Sequence, residues 1–249
     1  MKKFALIGHN IRNSLSPALF SAAYKSADFS YGLIDDISVI NAFKKFCENN
    51  YAGANVTSPH KESILPFCTK TDEVTKYIGA TNLILKDGGE IFARNTDYQG
   101  VKQPLIKRTL IGGNALIVGA GGAAKASVVA LKELNYSITI TNRTAQKAKE
   151  IASLFSINWC EIDDLPSLLL QPHTIVYTID APICKIASTN HINNIIFEAN
   201  YKTPNLNTIE CKEYISGREW LFFQAIESFR LFTGINPDTN GMYDLIDNC

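Results

Sequence analysis

An α/β fold in two parts is what this sequence predicts, and three observations predict it. A strand, a glycine turn, a helix and a second strand follow one another through ALIVGAGGAAKASVVALKEL and SITITNRTAQK, within 115–147. Short apolar runs rich in β-branched residues alternate with helical runs before that segment. The alternation resumes after it, so two βαβ-type domains follow. No Gly/Ser/Pro-rich linker divides the halves, and the crossing is placed near Tyr98 from the change of pattern alone.

In chain order, Phe4 to Ile7 reads as a strand, and a helix starts at Pro17 with Ser16 well suited to cap it. A strand near Tyr31 to Ile34, a helix near Val39 to Asn49 and a strand through Ala52 to Thr57 continue a pattern that suggests a parallel sheet. Ala80 to Lys86 and Glu90 to Asn95 read as a hairpin turning at Asp87, Gly88 and Gly89. After Asp97 a helix interrupted by Pro104 is expected, and Gly112, Gly113 and Asn114 introduce the next unit. Beyond Lys147 come a helix to Phe155, a short strand near Trp159, a helix near Leu165 to Leu170, strands at Thr174 to Thr178 and Ile195 to Ala199, and a long C-terminal helical stretch.

Gly119, Gly121 and Ala124 fit the G-x-G-x-x-G/A spacing of a dinucleotide-binding turn. Gly119 permits the turn, Gly121 lets backbone approach a pyrophosphate, and Ala124 keeps helix and strand close. The cradle would comprise Gly119, Ala120, Gly121, Gly122 and Ala123, with the helix N-terminus directed at the anion. Where an NAD-binding chain carries Asp or Glu for the ribose 2′-hydroxyl, this one has Asn142, Arg143 and Thr144, with Lys147 following. A guanidinium offers donors matched to a 2′-phosphate that a carboxylate would repel, so the reading is NADP. Cations are disfavoured at a helix start, which argues against Arg143 and Lys147 as mere surface charge.

Composition narrows the function classes. Lys plus Arg and Asp plus Glu are both 24, which leaves no net charge to hold a nucleic acid or an anionic membrane. The hydrophobic content of 46% can build real cores. Six cysteines (Cys47, Cys68, Cys160, Cys184, Cys211, Cys249) form no C-x-x-C pair, and His9, His60, His173 and His191 show no metal-ligand spacing, so no metal is expected. The apolar run after Met1 is cut short by Gly8, His9, Asn10 and Arg12, and no stretch approaches ~18 apolar residues. A cytoplasmic protein with small-molecule partners is expected, acting as monomer or homodimer, with neither nucleic acid nor membrane bound.

Candidate chemistry lies in the first part. In NVTSPHKE (55–62), Ser58 and Pro59 suit the cap and first position of a helix, which would put Lys61 in its first turn. The positive end of the macrodipole would there favour a neutral amine suited to proton transfer. A solvated lysine accounts for the same residue equally well. Asp97 in RNTDYQG could be simply a helix cap, Asn82 a polar strand end, and Ser14 and Ser16 either cap residues or a site for a small carboxylate.

Taken together, SLSP (14–17), NVTSPHK, GATN (79–82), RNTD (94–97), GAGGAA, NRT (142–144), EANYKTP (198–204) and GREWLFFQAIESFRLFTG (217–234) follow one order along nearly the whole chain. In this the chain resembles the shikimate dehydrogenase family. The resemblance implies an N-terminal α/β substrate domain over 1–98, completed by about 225–249 as the last helices pack back on it. A C-terminal Rossmann-type NADP-binding domain would occupy 99–224. It implies an NADP-dependent oxidoreductase acting on a CH–OH group, reducing 3-dehydroshikimate to shikimate on the route to chorismate and the aromatic amino acids. Lys61 and Asp97 would be the catalytic pair, Ser14 and Ser16 the carboxylate ligands, and Thr57, Lys61, Asn82, Asp97 and Gln224 would surround the ring hydroxyls. Tyr201 would lie near substrate and Gly217 near nicotinamide.

Two departures stand out. Where the family usually has an Asn-Ala-Thr-Ser loop, this chain reads Tyr177, Thr178, Ile179, Asp180, Ala181, Pro182, so Asp180 is expected to weaken phosphate binding or alter coenzyme affinity. Glu198 stands where the family more often has Asp, before a loop whose proline comes one place later. The alternatives are a quinate/shikimate dehydrogenase using NAD, against which Arg143 argues, and a catalytically silent relative binding a nucleotide and a polyol acid, against which Lys61 and Asp97 argue.

Overall fold

The computed structural model describes residues 1–25 and 28–247, which form two compact units. One comprises Met1–Thr96 with Gln224–Cys249, the other Asp97–Phe223.

The first unit opens with strand β1 (Lys2–Gly8), helix α1 (Ser16–Ala23), β2 (Phe29–Asp35), α2 (Val39–Glu48) and β3 (Gly53–Val56). It continues through β4 (Lys70–Thr71), α3 (Glu73–Ile78), β5 (Leu83–Asp87) and β6 (Glu90–Arg94). The sheet order is β2-β1-β3-β5-β6-β4. Strands β1, β2 and β3 are parallel, as expected; β5 runs antiparallel to β3, and in the expected hairpin β6 reverses again from β5. The short glycine turn after Asp87 forces that reversal, because only an antiparallel neighbour can be reached in two residues. Ala5, Ile7, Ala54, Val56 and Ile84 on the sheet meet Ala42 and Phe46 of α2 in one core. Each such large side chain contributes about 1.5–3 kcal/mol on burial.

Three local readings are corrected. Leu15, not Ser16, occupies the cap position of α1, and Ser16 is its first residue with Pro17 behind it. No α-helix starts at Ser58; residues 58–64 are turns followed by a 3₁₀ segment at Leu65–Phe67. The Lys61 carbonyl that a helix would use internally accepts instead from the Thr81 amide at 2.8 Å, and the buried His60 ring is tied to the Asp36 carbonyl at 2.7 Å. Helix α4 (Asp97–Lys107) runs straight through Pro104. Buried Val101, Pro104 and Leu105 outweigh the cost of the missing amide, about 3 kcal/mol when uncompensated.

After α4 the second unit has β7 (Gly113–Val118), α5 (Gly122–Glu133), β8 (Tyr136–Thr141), α6 (Ala145–Phe155) and β9 (Asn158–Trp159). There follow α7 (Leu165–Leu168), β10 (Thr174–Tyr177), α8 (Cys184–Ala187), β11 (His191–Glu198) and β12 (Cys211–Ile215). All six strands are parallel in the order β12-β11-β10-β7-β8-β9, a doubly wound Rossmann-type sheet. Strand β12 was not anticipated, since CKEYI alternates polar residues in an edge strand.

Helix α9 (Gly217–Thr233) and α10 (Thr239–Asp247) end the chain. Within the first unit Phe232 stacks on Phe4 at 4.7 Å, Tyr24 donates to the Ile235 carbonyl at 2.8 Å, and α10 lies on α1. The last helices therefore complete the N-terminal domain, as expected. Cys249 lies outside the described residues.

Candidate active site

In the first unit the carboxyl ends of β1 and β3 and the start of β5 gather the polar residues. Asn82 precedes β5, and its carbonyl accepts from the Val56 amide at 2.8 Å, which sets it beside Thr57 at the end of β3. Its side chain is 3% exposed. Asn82 Nδ2 donates to Gln224 Oε1 at 3.2 Å and Thr96 Oγ1 at 3.0 Å, while Oδ1 accepts from the Thr96 amide at 2.7 Å. The Thr96 hydroxyl also meets Ser228 Oγ at 2.8 Å. Residues 142 positions apart are thereby held in one network.

Two further sets of polar contacts lie in the same unit, and one of them reaches the same asparagine. Ser14 Oγ accepts from the Ser16 amide and lies 3.2 Å from Ser16 Oγ. Separately, the Tyr31 hydroxyl donates to Asn55 Oδ1 at 2.8 Å. Asn55 Nδ2 donates in turn to the Asn82 carbonyl at 3.3 Å. Burial pushes the Tyr31 hydroxyl pKa up, so the group stays a neutral donor.

Asn82 and Gln224 are thus brought into one network with Asn55 and Tyr31, Ser14 and Ser16 form a pair of their own, and Thr57 follows Val56, whose amide bonds the Asn82 carbonyl. Lys61 sits in the turn after β3, anchored through its carbonyl, and not in the first turn of a helix as expected. Asp97, 5% exposed, opens α4 in the second unit. Tyr31, Asn55, Thr96 and Ser228 were not singled out from sequence. A tyrosine hydroxyl on an inner strand needs a partner, and Ser228 lies one helical turn beyond Gln224; those were the signals. A cavity of about 560 Å³ lined by parts of 9–13 and 35–37 contains none of the residues expected in the site.

In the second unit strand order reverses between β7 and β10, the position where such sheets bind nucleotides. Gly119, with φ +124°, ends β7 and its amide donates to the Thr141 carbonyl at 2.9 Å. Gly121 takes the cap position of α5 with no side chain across it, no acidic residue stands in the first turn, and a Cβ there would meet only open space. The Gly119–Ala123 segment thus leaves helix N–H groups free for an anion. Strand β8 leads to Asn142, whose side-chain Nδ2 donates to the Thr144 carbonyl at 3.1 Å. Arg143 and Lys147 are exposed at the start of α6, which lacks an acid in its first turn. This donor set fits a 2′-phosphorylated dinucleotide. Asp180 is exposed in the loop after β10.

Glu198, fully buried, accepts from the Asn205 amide at 2.6 Å, the Leu206 amide at 3.0 Å and the Tyr214 hydroxyl at 2.9 Å. It therefore closes the loop that carries Tyr201. Gly217 begins α9 against the Ala199 carbonyl, where any Cβ would overlap backbone. Among the described residues no His, Cys, Asp or Glu cluster could hold a metal ion, and no helix is long and apolar enough to cross a membrane.

Comparison with known proteins covers both units. Residues 6–84 match the shikimate dehydrogenase substrate binding domain, and 104–204 match the shikimate / quinate 5-dehydrogenase family. The shikimate dehydrogenase (NADP(+)) of Nitrosopumilus maritimus is 34% identical over 97% of this chain and 96% of its own. That of an Exiguobacterium species is 30% identical over 94% of each. The crystal structure of Thermus thermophilus shikimate 5-dehydrogenase, in complex with NADP(H) and shikimate, is 26% identical and superposes with a TM-score of 0.83 over 100% of this chain and 99% of its own. With both domain families matched in order along a two-domain α/β chain, this protein belongs to the shikimate dehydrogenase family.

Proposed function

We propose that this chain is an NADP-dependent shikimate dehydrogenase that reduces 3-dehydroshikimate to shikimate reversibly in aromatic amino acid biosynthesis. The observation that carries the reading is the relation at 34% identity over 97% of the chain to a protein named for that activity. On this reading its partners are small molecules and its place is the cytoplasm.

Bound NADPH supplies the hydride for the C3 carbonyl. The chain's own part is position and field. Gly119 to Ala123 and the start of α5 hold the pyrophosphate through backbone N–H groups. Arg143, with Asn142, Thr144 and Lys147, holds the 2′-phosphate, the guanidinium fork matching its oxygens. Gly217 would lie near the nicotinamide.

Ser14 and Ser16 donate to the substrate carboxylate, Thr57, Asn82 and Gln224 bind the ring hydroxyls, and Tyr201 lies near the substrate. Lys61 as ammonium meets the charge growing on the C3 oxygen and delivers its proton there; in the oxidising direction the neutral amine takes it back. Asp97 orients Lys61 and accepts from the adjacent hydroxyl.

Following NADPH absorbance with purified protein and 3-dehydroshikimate tests the reading, with NADH and dehydroquinate in parallel. Rapid NADPH consumption with dehydroshikimate alone is expected. Turnover only with dehydroquinate and NADH would replace the reading by that of an NAD-dependent quinate enzyme.

A further inference from the structure

We infer that Glu198 is a positioning residue of the substrate site: its buried carboxylate sets the loop on which Tyr201 stands, an inference that rests on the proposed place of Tyr201 near the substrate.

Strand β11 ends at Glu198, and the Ala199 amide still donates to the Tyr177 carbonyl of β10 at 2.8 Å, so the sheet fixes the chain up to that point. Asn200 then folds the next residues around its own side chain. Its Oδ1 accepts from the Lys202 and Thr203 amides at 3.0 and 3.2 Å, and its Nδ2 donates to the Thr203 carbonyl at 2.9 Å. Tyr201 lies inside that turn and moves with it as a body. Burial of Leu206 brings the chain back, and the carboxylate fixes where it lands. The Asn205 amide ends on Glu198 Oε1 at 2.6 Å and the Leu206 amide on Oε2 at 3.0 Å. One side chain therefore grips the far end of the loop whose near end its own backbone carries.

Both oxygens must accept for this grip to hold. Besides the two amides, Asn205 Nδ2 reaches Oε1 at 3.3 Å and the Tyr214 hydroxyl reaches Oε2 at 2.9 Å, so donors face each oxygen of a fully buried group. In Glu198→Gln, either orientation of the amide sets an NH2 against one of the loop's N–H groups, and burial keeps water from replacing the lost acceptor.

Glu198→Gln is expected to lower kcat/KM for shikimate about tenfold, with the KM for NADP+ within about twofold of the parent. Tyr214→Phe is the control for stability, since it takes one hydrogen bond from the same carboxylate and leaves both loop amides in place; its kcat/KM should stay within about twofold of the parent. Because Glu198 acts through Tyr201, the double variant Glu198→Gln/Tyr201→Phe should have a kcat/KM close to that of Tyr201→Phe alone. Should Glu198→Gln not fold, Glu198→Asp keeps an acceptor-only group one methylene too short to reach both amides, and the same selective loss is expected of it. Unchanged kcat/KM, an equal loss in Tyr214→Phe or multiplying effects in the double variant overturns the inference. A parallel rise in the KM for NADP+ also overturns it, by showing that the strand end against Gly217 has loosened as a whole. If Tyr201→Phe itself leaves kcat/KM for shikimate unchanged, the placing of Tyr201 is what fails, and this inference falls with it; if the parent does not oxidise shikimate with NADP+, the proposed function has failed first.

Discussion

Thr178 closes over Gly119 at the switch point of the second sheet. Its hydroxyl donates to the Val118 carbonyl at 2.9 Å, and a Cβ on Gly119 would overlap the hydroxyl oxygen. Thr178 belongs to the 177–182 segment, so the residues of that segment bear directly on the glycine turn. Gly119→Ala faces both that overlap and a φ of +124°. We expect a raised KM for NADPH and a stability loss of about 1–3 kcal/mol in denaturant unfolding. Adding Thr178→Ala should recover only the steric part. An unchanged midpoint in Gly119→Ala would show that the turn relaxes freely.

Lys61→Ala should lower kcat by roughly 10²–10⁴ and change the KM for substrate much less, since the proton is needed only as the oxygen becomes charged. Steady-state kinetics in both directions decide it. A large rise in KM with kcat intact would make Lys61 a binding residue.

Arg143→Asp should raise the KM for NADPH and move preference toward NADH, because a fork of donors becomes a repelling carboxylate in an exposed position. The ratio of kcat/KM for the two coenzymes is the measurement. An unaltered ratio would place recognition of the 2′-phosphate elsewhere.

Asp72 yields a pH prediction for stability. Burial raises its pKa, but hydrogen bonds from Thr75 and the Arg94 guanidinium at 2.7 Å outweigh this and hold it below its ordinary value. A carboxylate with a depressed folded-state pKa stabilises the fold above its unfolded pKa, about 3.9, and that contribution is lost as pH falls through the folded one. Asparagine caps a helix as well as aspartate does, so Asp72→Asn isolates the charge. The variant should be less stable at pH 7 by up to about 1 kcal/mol, and the two proteins should converge below about pH 4. A difference independent of pH would exclude the ion pair as its cause.

The glycine turn, the strand before it and the cation after β8 were all legible because each follows from local rules. A φ that only glycine adopts readily, a free helix start and an alternation of apolar runs are written into consecutive residues. The Ser58 helix failed for the opposite reason. Its local signals were sound, yet the Thr81 amide claimed the Lys61 carbonyl, a partner 20 residues away in the chain that no window contains. Pro104 and β12 missed likewise: burial against distant elements overrode a proline inside a helix and a polar alternation at a sheet edge.

By itself the sequence determined the class of fold and the glycine turn between β7 and α5, and it named the cation and the polar residues on which the proposed function rests. Only the tertiary structure decided how β5 pairs with β3, which turn carries Lys61, and how Tyr31, Asn55, Asn82 and Gln224 join in one network. Hydrogen bonds between residues far apart in the chain form only once apolar burial has brought their strands and helices together, so their pairing cannot be read from neighbours in sequence.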